Sequence, residues 1–353
     1  MRGGNGAVNT QALGGSMSKT KFLVSLCALV LAGITSASAA TRFVDARTGT
    51  GSLCTITAPC ADVNTALSIS ACGDNIVILV GAVFGPVKLT CQFSIAGTEP
   101  PPDTQFVNDG SAPGCIGGAP GSCGSNSGWT VEVAAGDTDT IKLSYVTIVA
   151  GSGQGALKFT SGGKIQFTHD VYRGNGTSTG ALVALYPANS SAQAQVYFSN
   201  SDVGFHNGGA VEIKPSGTTS VKLHFNHVEV HNANFGIRSD ASLLASSSNV
   251  VATVISDSEF FSFPSTSAAI NAFSTSGTGT VQAVFVRTQI LNSGTALKAN
   301  GPQSFVVLND NTACGNGIGI QVLNSAVVNT MQNNTVKCNN TNISGTLNPL
   351  TFD

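Results

Sequence analysis

One phrase recurs along most of this 353-residue chain and constrains its fold more than any other feature. Each copy alternates apolar and polar residues, passes through a polar and a small residue, and returns to an apolar one. The apolar anchors of the copies are Leu143, Phe167, Phe198, Phe225, Ile255, Phe285, Leu308 and Met331. A repeat of 23 to 31 residues with internal alternation of period two indicates stacked β coils.

The composition agrees with this interpretation. Only 10% of the residues are charged and 41 are Gly, so long surface helices built from Glu, Lys and Arg are poorly supported. Apolar residues make up 42% of the chain, which is enough for a continuous core. Parallel strands joined by crossovers wind right-handed. The sequence therefore predicts an all-β protein, a right-handed parallel β-helix or solenoid.

The first 40 residues have a different character. Lys19 and Lys21 precede an apolar run over residues 22–34, and small residues follow it up to Ala40. This layout predicts a secretory signal peptide over residues 1–40, because the run is shorter than the ~20 residues of a spanning helix. Met17 is the more ordinary initiator methionine for such a signal peptide, so residues 1–16 are candidates for a wrongly assigned upstream extension. We expect a secreted protein, periplasmic or extracellular, with no membrane span after signal removal.

Three regions are predicted beyond the signal peptide. Residues 41–98 form an N-terminal cap and the first coils, with a short amphipathic helix over 61–70 covering the open end of the solenoid. Residues 99–128 break the repeat with prolines and glycines, which predicts a disulfide-tied loop. Residues 129–353 carry the repeat coils.

Cysteine usage supports export. Cys27 leaves with the signal peptide, and an even number of cysteines remains, which predicts disulfides in an oxidising compartment. Proximity in the sequence, and a near-repeat one coil apart for the last pair, predict four pairings: Cys54 with Cys60, Cys72 with Cys91, Cys115 with Cys123, and Cys314 with Cys338. Zinc is the alternative, but no Cys-x-x-Cys is present.

The charge balance argues against nucleic acid as a partner. Arg2, Lys19 and Lys21 lie in the signal region and no acid does, so 13 basic and 18 acidic residues remain, a net charge of −5. A phosphate backbone requires a basic stripe, and none is visible.

The repeat over residues 140–343, together with N-terminal motifs such as Phe43-Val44, Pro59-Cys60 and Phe84-Gly85-Pro86, resembles the secreted right-handed parallel β-helix repeat proteins of bacteria. The resemblance implies the pectate-lyase-like fold. Pectate lyases, polygalacturonases, epimerases, phage tailspikes and adhesins share this architecture, so the resemblance leaves the activity open. Neither the paired Asp with Arg-x-Lys of polygalacturonases nor the Arg-x-Pro-x-x-Arg of pectate lyases occurs.

Two outward columns carry the candidate chemistry. One lies two positions after each anchor and contains His227, Asp257 and Arg287; the other lies four positions after it and contains Asp202, Glu229 and Glu259. Neighbours in such a ladder are about 5 Å apart, and like charges at that range raise at least one pKa. An acid with a raised pKa and an ionised partner could cleave a glycosidic bond.

The roles that follow are specific. The candidate catalytic residues, as acid, base or calcium ligands, are Asp202, Glu229, Asp257 and Glu259. His227 and Arg287 are the candidate substrate-binding residues. Calcium is the cofactor considered, and no metal ligand set is assigned. The alternative is that these are solvated turn residues, because Asn and Asp tolerate the backbone angles of tight turns.

Other motifs leave two interpretations open. All five histidines lie in the segment from His169 to His231. They either form a metal site or lie close together by chance. Phe260 is predicted to be in the core, while Phe261 or Phe263 packs there too or faces out as a sugar platform. Asn311 and Asn334 are predicted to form an inward ladder of side-chain amides between coils.

The leading functional prediction is recognition of an extended polysaccharide along the coil face. The rival is a lyase, hydrolase or epimerase acting on a polyuronate. The third is a structural or adhesive spacer that needs no site. No pattern in the sequence indicates an oligomeric state.

Overall fold

The computed structural model describes residues 39–98, 104–118, 124–125, 127–151, 154–175, 178–188 and 193–350. Residues 1–38 of the predicted signal peptide and Cys123 lie outside these residues. Every strand pairing between named strands is parallel, and each strand pairs with its counterpart one coil away. The chain forms a right-handed parallel β-helix, as predicted.

The strands form three sheets, named A, B and C in the order in which a full coil passes through them. Two strands of 20 residues run through all three sheets and belong to the middle coils: Ala194–Ile213 and Val221–Asp240.

Sheet A contains the strands Thr41–Asp45, Asn75–Val80, Phe93–Ala96, Thr140–Ser144, Lys164–Thr168, Val250–Ser256, Thr280–Val286, Ser304–Asn309, Val327–Thr330 and Asn348–Pro349. Sheet B contains the short strands Val83–Phe84, Gln105–Val107, Thr147–Val149, Val171–Arg173, Glu259–Phe261, Gln289–Leu291, Thr312–Cys314 and Thr335–Val336. Sheet C contains Val87–Leu89, Gly114–Cys115, Trp129–Ala134, Gly155–Ser161, Ala181–Leu185, Ala268–Phe273, Thr295–Asn300, Ile318–Leu323 and Thr341–Ser344.

The anchors of the repeat pair with one another in sheet A and point into the bore. Phe167, Phe198 and Phe225 are fully buried and form a continuous aromatic stack, with ring centroids 4.7 and 5.0 Å apart. The last coil departs from the prediction, because Leu308 pairs with Thr330 rather than Met331.

The N-terminal end is covered by a helix, as predicted, with bounds Val63–Ser68. Asp62 caps it, because its side chain accepts hydrogen bonds from the backbone N–H of Asn64 and Thr65, both at 3.0 Å. Val63, Ala66 and Leu67 are buried against the first coils. Among the described residues, no helix has the length and apolarity needed to cross a membrane.

The segment over residues 99–128 is more regular than a loop. Gln105–Val107 and Gly114–Cys115 are strands that join sheets B and C. Strands of two or three residues are too short to show alternation, so the sequence pattern did not reveal them.

Within the described residues, disulfides join Cys54 to Cys60, Cys72 to Cys91 and Cys314 to Cys338, the pairings that proximity predicts. Cys115 is also disulfide-bonded, and its predicted partner Cys123 lies outside the described residues. The Cys314–Cys338 bond ties two adjacent coils at the C-terminal end.

The inward asparagine ladder is confirmed. The Asn334 Oδ1 accepts from the backbone and side-chain N–H groups of Asn311, at 2.8 and 2.9 Å, and the Asn311 Oδ1 accepts from the backbone N–H of Thr288. A second ladder, not predicted, joins Asn316 and Asn339 on the other side of sheet B. The ladders satisfy backbone groups that the turns leave unpaired inside the protein.

Candidate functional site

The outer face of sheet B carries the predicted site. In each coil a turn residue precedes the strand, and the first and third residues of the three-residue strand point outwards. We call the following residues the sheet B face: Arg173, Asp202, Phe205, His227, Glu229, His231, Asp257, Glu259, Phe261, Arg287 and Gln289.

The column of turn residues has one backbone conformation. In the seven coils whose anchors run from Leu143 to Leu308, its φ angles lie between 47° and 58°, at Tyr145, His169, Asn200, His227, Asp257, Arg287 and Asp310. This left-handed conformation is unfavourable for bulky residues, so the fold rather than the side chain imposes it. The interpretation of this column as turn positions is supported, and its side chains are aligned outwards coil after coil.

The second column has the register that the sequence predicts. Asp202 pairs with Glu229, Glu229 with Glu259, and Glu259 with Gln289. Five predicted residues line one shallow groove of about 390 Å³, and Asp202 lies one coil outside it. The five are His227, Glu229, Asp257, Glu259 and Arg287.

Arg287 and Asp257 form an ion pair. The Arg287 Nε and Nη2 donate to the two carboxylate oxygens of Asp257 at 2.6 and 2.8 Å. These hydrogen bonds hold the pKa of Asp257 below its ordinary value, so the carboxyl stays ionised and is unsuited to be a general acid. Glu229 and Glu259 are left as the acids of the groove that form no ion pair within the described residues.

Asp202 bonds to two side chains, Arg173 and His231. Arg173 donates to both of its carboxylate oxygens, at 2.7 and 2.5 Å, and the His231 Nε2 lies 2.9 Å from Oδ1. Burial raises the pKa of Asp202, but the hydrogen bonds and charge of Arg173 and His231 lower it further, to about 2. The expectation of a raised pKa from crowded carboxylates is wrong for this residue, because a guanidinium sits closer than the next acid.

His231 is bound through both ring nitrogens. The Asn232 Nδ2 lies 3.0 Å from Nδ1, and Nε2 bonds to the Asp202 carboxylate. Gly204 lies between Arg173 and His231 in the column of third strand residues. A Cβ on Gly204 would be 2.7 Å from the His231 Cε1 atom. The missing side chain gives the imidazole room to reach the carboxylate.

An aromatic row borders these charges. Phe205 is 53% exposed, and its backbone is in the left-handed region, with a φ of 56°. The Arg173 guanidinium lies 5.1 Å from its ring centroid, and the ring meets His231 edge-on at 4.8 Å. Phe261 stacks on the other side of His231, with centroids 4.9 Å apart and planes within 6°. We call Phe205, His231 and Phe261 the aromatic row.

The three phenylalanines of the segment 260–263 have different environments. Phe260 is fully buried in the core, as predicted, and Phe263 is also buried at 4% exposure. Phe261 is the member that faces outwards, since it occupies the third position of its sheet B strand.

The histidines occupy separate environments. His206 is buried with Nε2 against the Gly180 carbonyl, and burial lowers its pKa. His224 faces out from sheet A beside Tyr197. Within the described residues, one group has three potential metal ligands within 4.8 Å of one another, Asp202, Glu229 and His231. Two of these already bond to each other, so calcium would have to displace Arg173 or His231 from Asp202 to gain its oxygens.

A buried carboxyl inside sheet B was missed by the sequence analysis. Asp170 occupies the inward ladder position and is fully buried, with Oδ1 accepting from the backbone N–H of Val146 at 3.1 Å. Burial raises its pKa to about 8, although the hydrogen bonds from Val146, Thr168 and Tyr172 lower it. Other coils place Ser201, Ser258, Thr288 or Asn311 there, so the repeat itself could have identified the exception.

Comparisons with known proteins identify no family. No protein-family model matches the chain, and no curated protein matches it. Among solved structures, the chain is similar to pectate lyase Pel9A, with 12% identity, a TM-score of 0.46, and coverage of 87% of this chain and 80% of that one. It is also similar to an alginate lyase from Paenibacillus sp. str. FPU-7, with 11% identity, a TM-score of 0.39, and coverage of 87% and 99%.

Proposed function

We propose that this protein is a secreted or surface-associated recognition protein that binds an extended, hydroxyl-rich polysaccharide along the sheet B face. The observation that carries the proposal is the aromatic row beside a ladder of carboxylates. An exposed ring offers its face to the C–H groups of a sugar, while carboxylates accept hydrogen bonds from sugar hydroxyls. The alignment of both columns along the coils suits a long ligand rather than a small one.

The charges favour a neutral ligand over a polyuronate. Four carboxylates stand on the face against Arg173 and Arg287, and both guanidinium groups are already paired. A ligand with free carboxylates would meet net negative charge, which costs affinity unless a cation bridges the two. Disulfide bonds support export, because they persist in oxidising compartments.

Removing the aromatic row tests the proposal. We expect Phe205→Ala and Phe261→Ala each to weaken binding to the glycan by about tenfold or more, since buried aromatic anchors dominate binding energy. The measurement is isothermal titration against a panel of neutral and acidic polysaccharides. Phe305→Ala is the matched control, because Phe305 is a 40% exposed phenylalanine on sheet A. Equal losses for all three variants, or none for any, would overturn the proposal.

A second function is favoured by one observation. Glu229 and Glu259 lie in adjacent coils of the groove and form no ion pair with a described residue, so they are the acids still free for proton transfer. In a polyuronate lyase, hydrolase or epimerase, one would be the acid and the other the base. If Glu229 and Glu259 instead held calcium, the ion would neutralise the charge of the substrate carboxylate.

The two functions give different results in one assay. We expect the wild type to bind without releasing unsaturated or reducing ends, with calcium or with chelator, and Glu229→Gln/Glu259→Gln to weaken binding by about tenfold. Glu132→Gln, on sheet C, is the control for loss of a carboxylate. Turnover that disappears in the double variant would show that the protein is an enzyme. If the protein neither binds nor cleaves any glycan, a structural or adhesive spacer would be the remaining function.

A further inference from the structure

Sheet C carries a second outward column that the proposed function does not use. Its register places Glu212 beside Arg238, Arg238 beside Asn271, Asn271 beside Lys298, and Lys298 beside Gln321. Neighbours in the column are therefore one coil apart, about 5 Å. Arg238 and Lys298 flank Asn271 from its two sides.

The acids in the described part of the column lie on the N-terminal side of Arg238. Glu132 lies 3.9 Å from Lys88 and beside Lys158 in the register, and the Glu212 Oε1 lies 3.4 Å from the Arg238 Nη1. From Asn271 to the C-terminal end, the described residues of the column include no acid. In a chain with net negative charge, this is a local concentration of positive charge.

These residues line a groove of about 220 Å³ together with the loops that enter sheet C. Phe235 forms one wall. A Cβ on Gly209 would lie 1.9 Å from its ring, so the ring packs directly on that backbone, and the Arg238 guanidinium lies 4.7 Å from the ring centroid. Arg238 is thereby supported by stacking and by one bond to Glu212, and most of its N–H donors remain for another partner.

Two groups in this groove lack a partner among the described residues. The Asn271 Oδ1 is buried and accepts no hydrogen bond. Lys298, one coil away, forms no ion pair or hydrogen bond within the described part of the chain. A buried acceptor favours a donor, and a partly buried ammonium favours an anion, so the groove suits a ligand that supplies both.

We propose that this groove binds an acidic saccharide, a sugar bearing a carboxylate or sulfate group next to a free hydroxyl. The anionic group accepts from Lys298 and Arg238, and the hydroxyl donates to the Asn271 Oδ1. The Phe235 ring faces the sugar. A simple inorganic anion satisfies the cations but leaves the amide oxygen unpaired, and a neutral sugar does the reverse.

The site is independent of the sheet B face, which carries net negative charge and lies on another side of the coil. The two sites therefore prefer opposite ligands. Failure of the proposed function on sheet B would leave this site standing, because Phe205→Ala and Phe261→Ala alter no residue of the sheet C groove.

The test is titration of the whole secreted chain with trigalacturonate, a sulfated trisaccharide and maltotriose, in chelator to exclude bridging cations. We expect binding of one or both acidic probes and not of maltotriose, and the preferred probe shows which anion the groove takes. Lys298→Gln should weaken that binding by about tenfold and reduce its dependence on salt. Asn271→Asp, similar in shape but negatively charged, should abolish it.

Lys222→Gln is the matched control, since it removes the same charge from an exposed position on sheet A. Circular dichroism melting of each variant verifies that the fold is retained. Equal binding of maltotriose, wild-type affinity in both groove variants, an equal loss in the control, or no acidic probe bound by the wild type would each overturn the proposal.

Discussion

Replacing Asp170 with Asn is expected to stabilise the protein, and increasingly so as the pH rises from about 4 to about 8. The pKa of Asp170 is raised from 3.8 to about 8 in the folded state because the carboxyl is fully buried. Its contribution is therefore fully present below the unfolded pKa and is lost as the pH rises through the folded one. At about 1.4 kcal/mol per pH unit, the gain for the Asn variant at pH 8 is on the order of several kcal/mol.

The amide has a ready position. Asn311 and Asn334 each donate from Nδ2 to the carbonyl of the anchor one coil earlier, Phe285 and Leu308, and the equivalent acceptor for Asp170→Asn is the Leu143 carbonyl. The measurement is the free energy of unfolding in urea for both proteins at several pH values. Asn311→Asp is the reciprocal control and should lose stability over the same range. A variant no more stable than the wild type at pH 8 would contradict the prediction.

Replacing Phe198 with Ala is expected to cost about 3–5 kcal/mol and to divide the solenoid into two unfolding units. The ring is fully buried and contacts Phe167, Phe225 and the edge of Tyr172. In a solenoid each coil is stabilised by its neighbours, so a cavity in a middle coil weakens the coupling between the two ends.

Two probes distinguish the ends. Trp129 is the sole tryptophan and reports the N-terminal coils by fluorescence, while circular dichroism reports all coils. We expect coincident urea transitions in the wild type and separate ones in Phe198→Ala. Phe305→Ala, which removes an exposed ring, should stay within about 0.5 kcal/mol of the wild type. Coincident transitions in Phe198→Ala would show that the coils unfold as one unit.

The columns of sheet B were accessible from sequence because the turn before them has constant length. Anchor, turn residue and strand stay at fixed offsets, so Asp202, Glu229 and Glu259 could be aligned by counting. The register cannot be read from the sequence where alternation disappears. Ala181–Leu185 is a run of five apolar residues that fits two registers, and the structure selects the one that pairs Leu157 with Val183.

The interactions within the columns were less accessible. Counting predicts which residues are neighbours but not which of them a long side chain reaches. Arg173 spans a coil to bind Asp202, and His231 does so across Gly204, so the acid at the end of the ladder is held ionised by partners that counting does not predict. The sheet C groove was missed because its polar residues, Arg238, Asn271 and Lys298, alternate with apolar ones like any outward column. Only the packing around Asn271 shows that its oxygen lacks a partner.

The left-handed turn between sheets A and B has a consequence for how such a chain can change through evolution. Because the turn recurs at the same offset in the coils from Leu143 to Leu308, a one-residue insertion there would move every following side chain of its strand to the opposite face. The repeat nevertheless varies between 23 and 31 residues, so length differences are accommodated in the loops that enter and leave sheet C. Insertions and deletions can therefore reshape the loops beside the sheet C groove while the ladder of sheet B stays aligned.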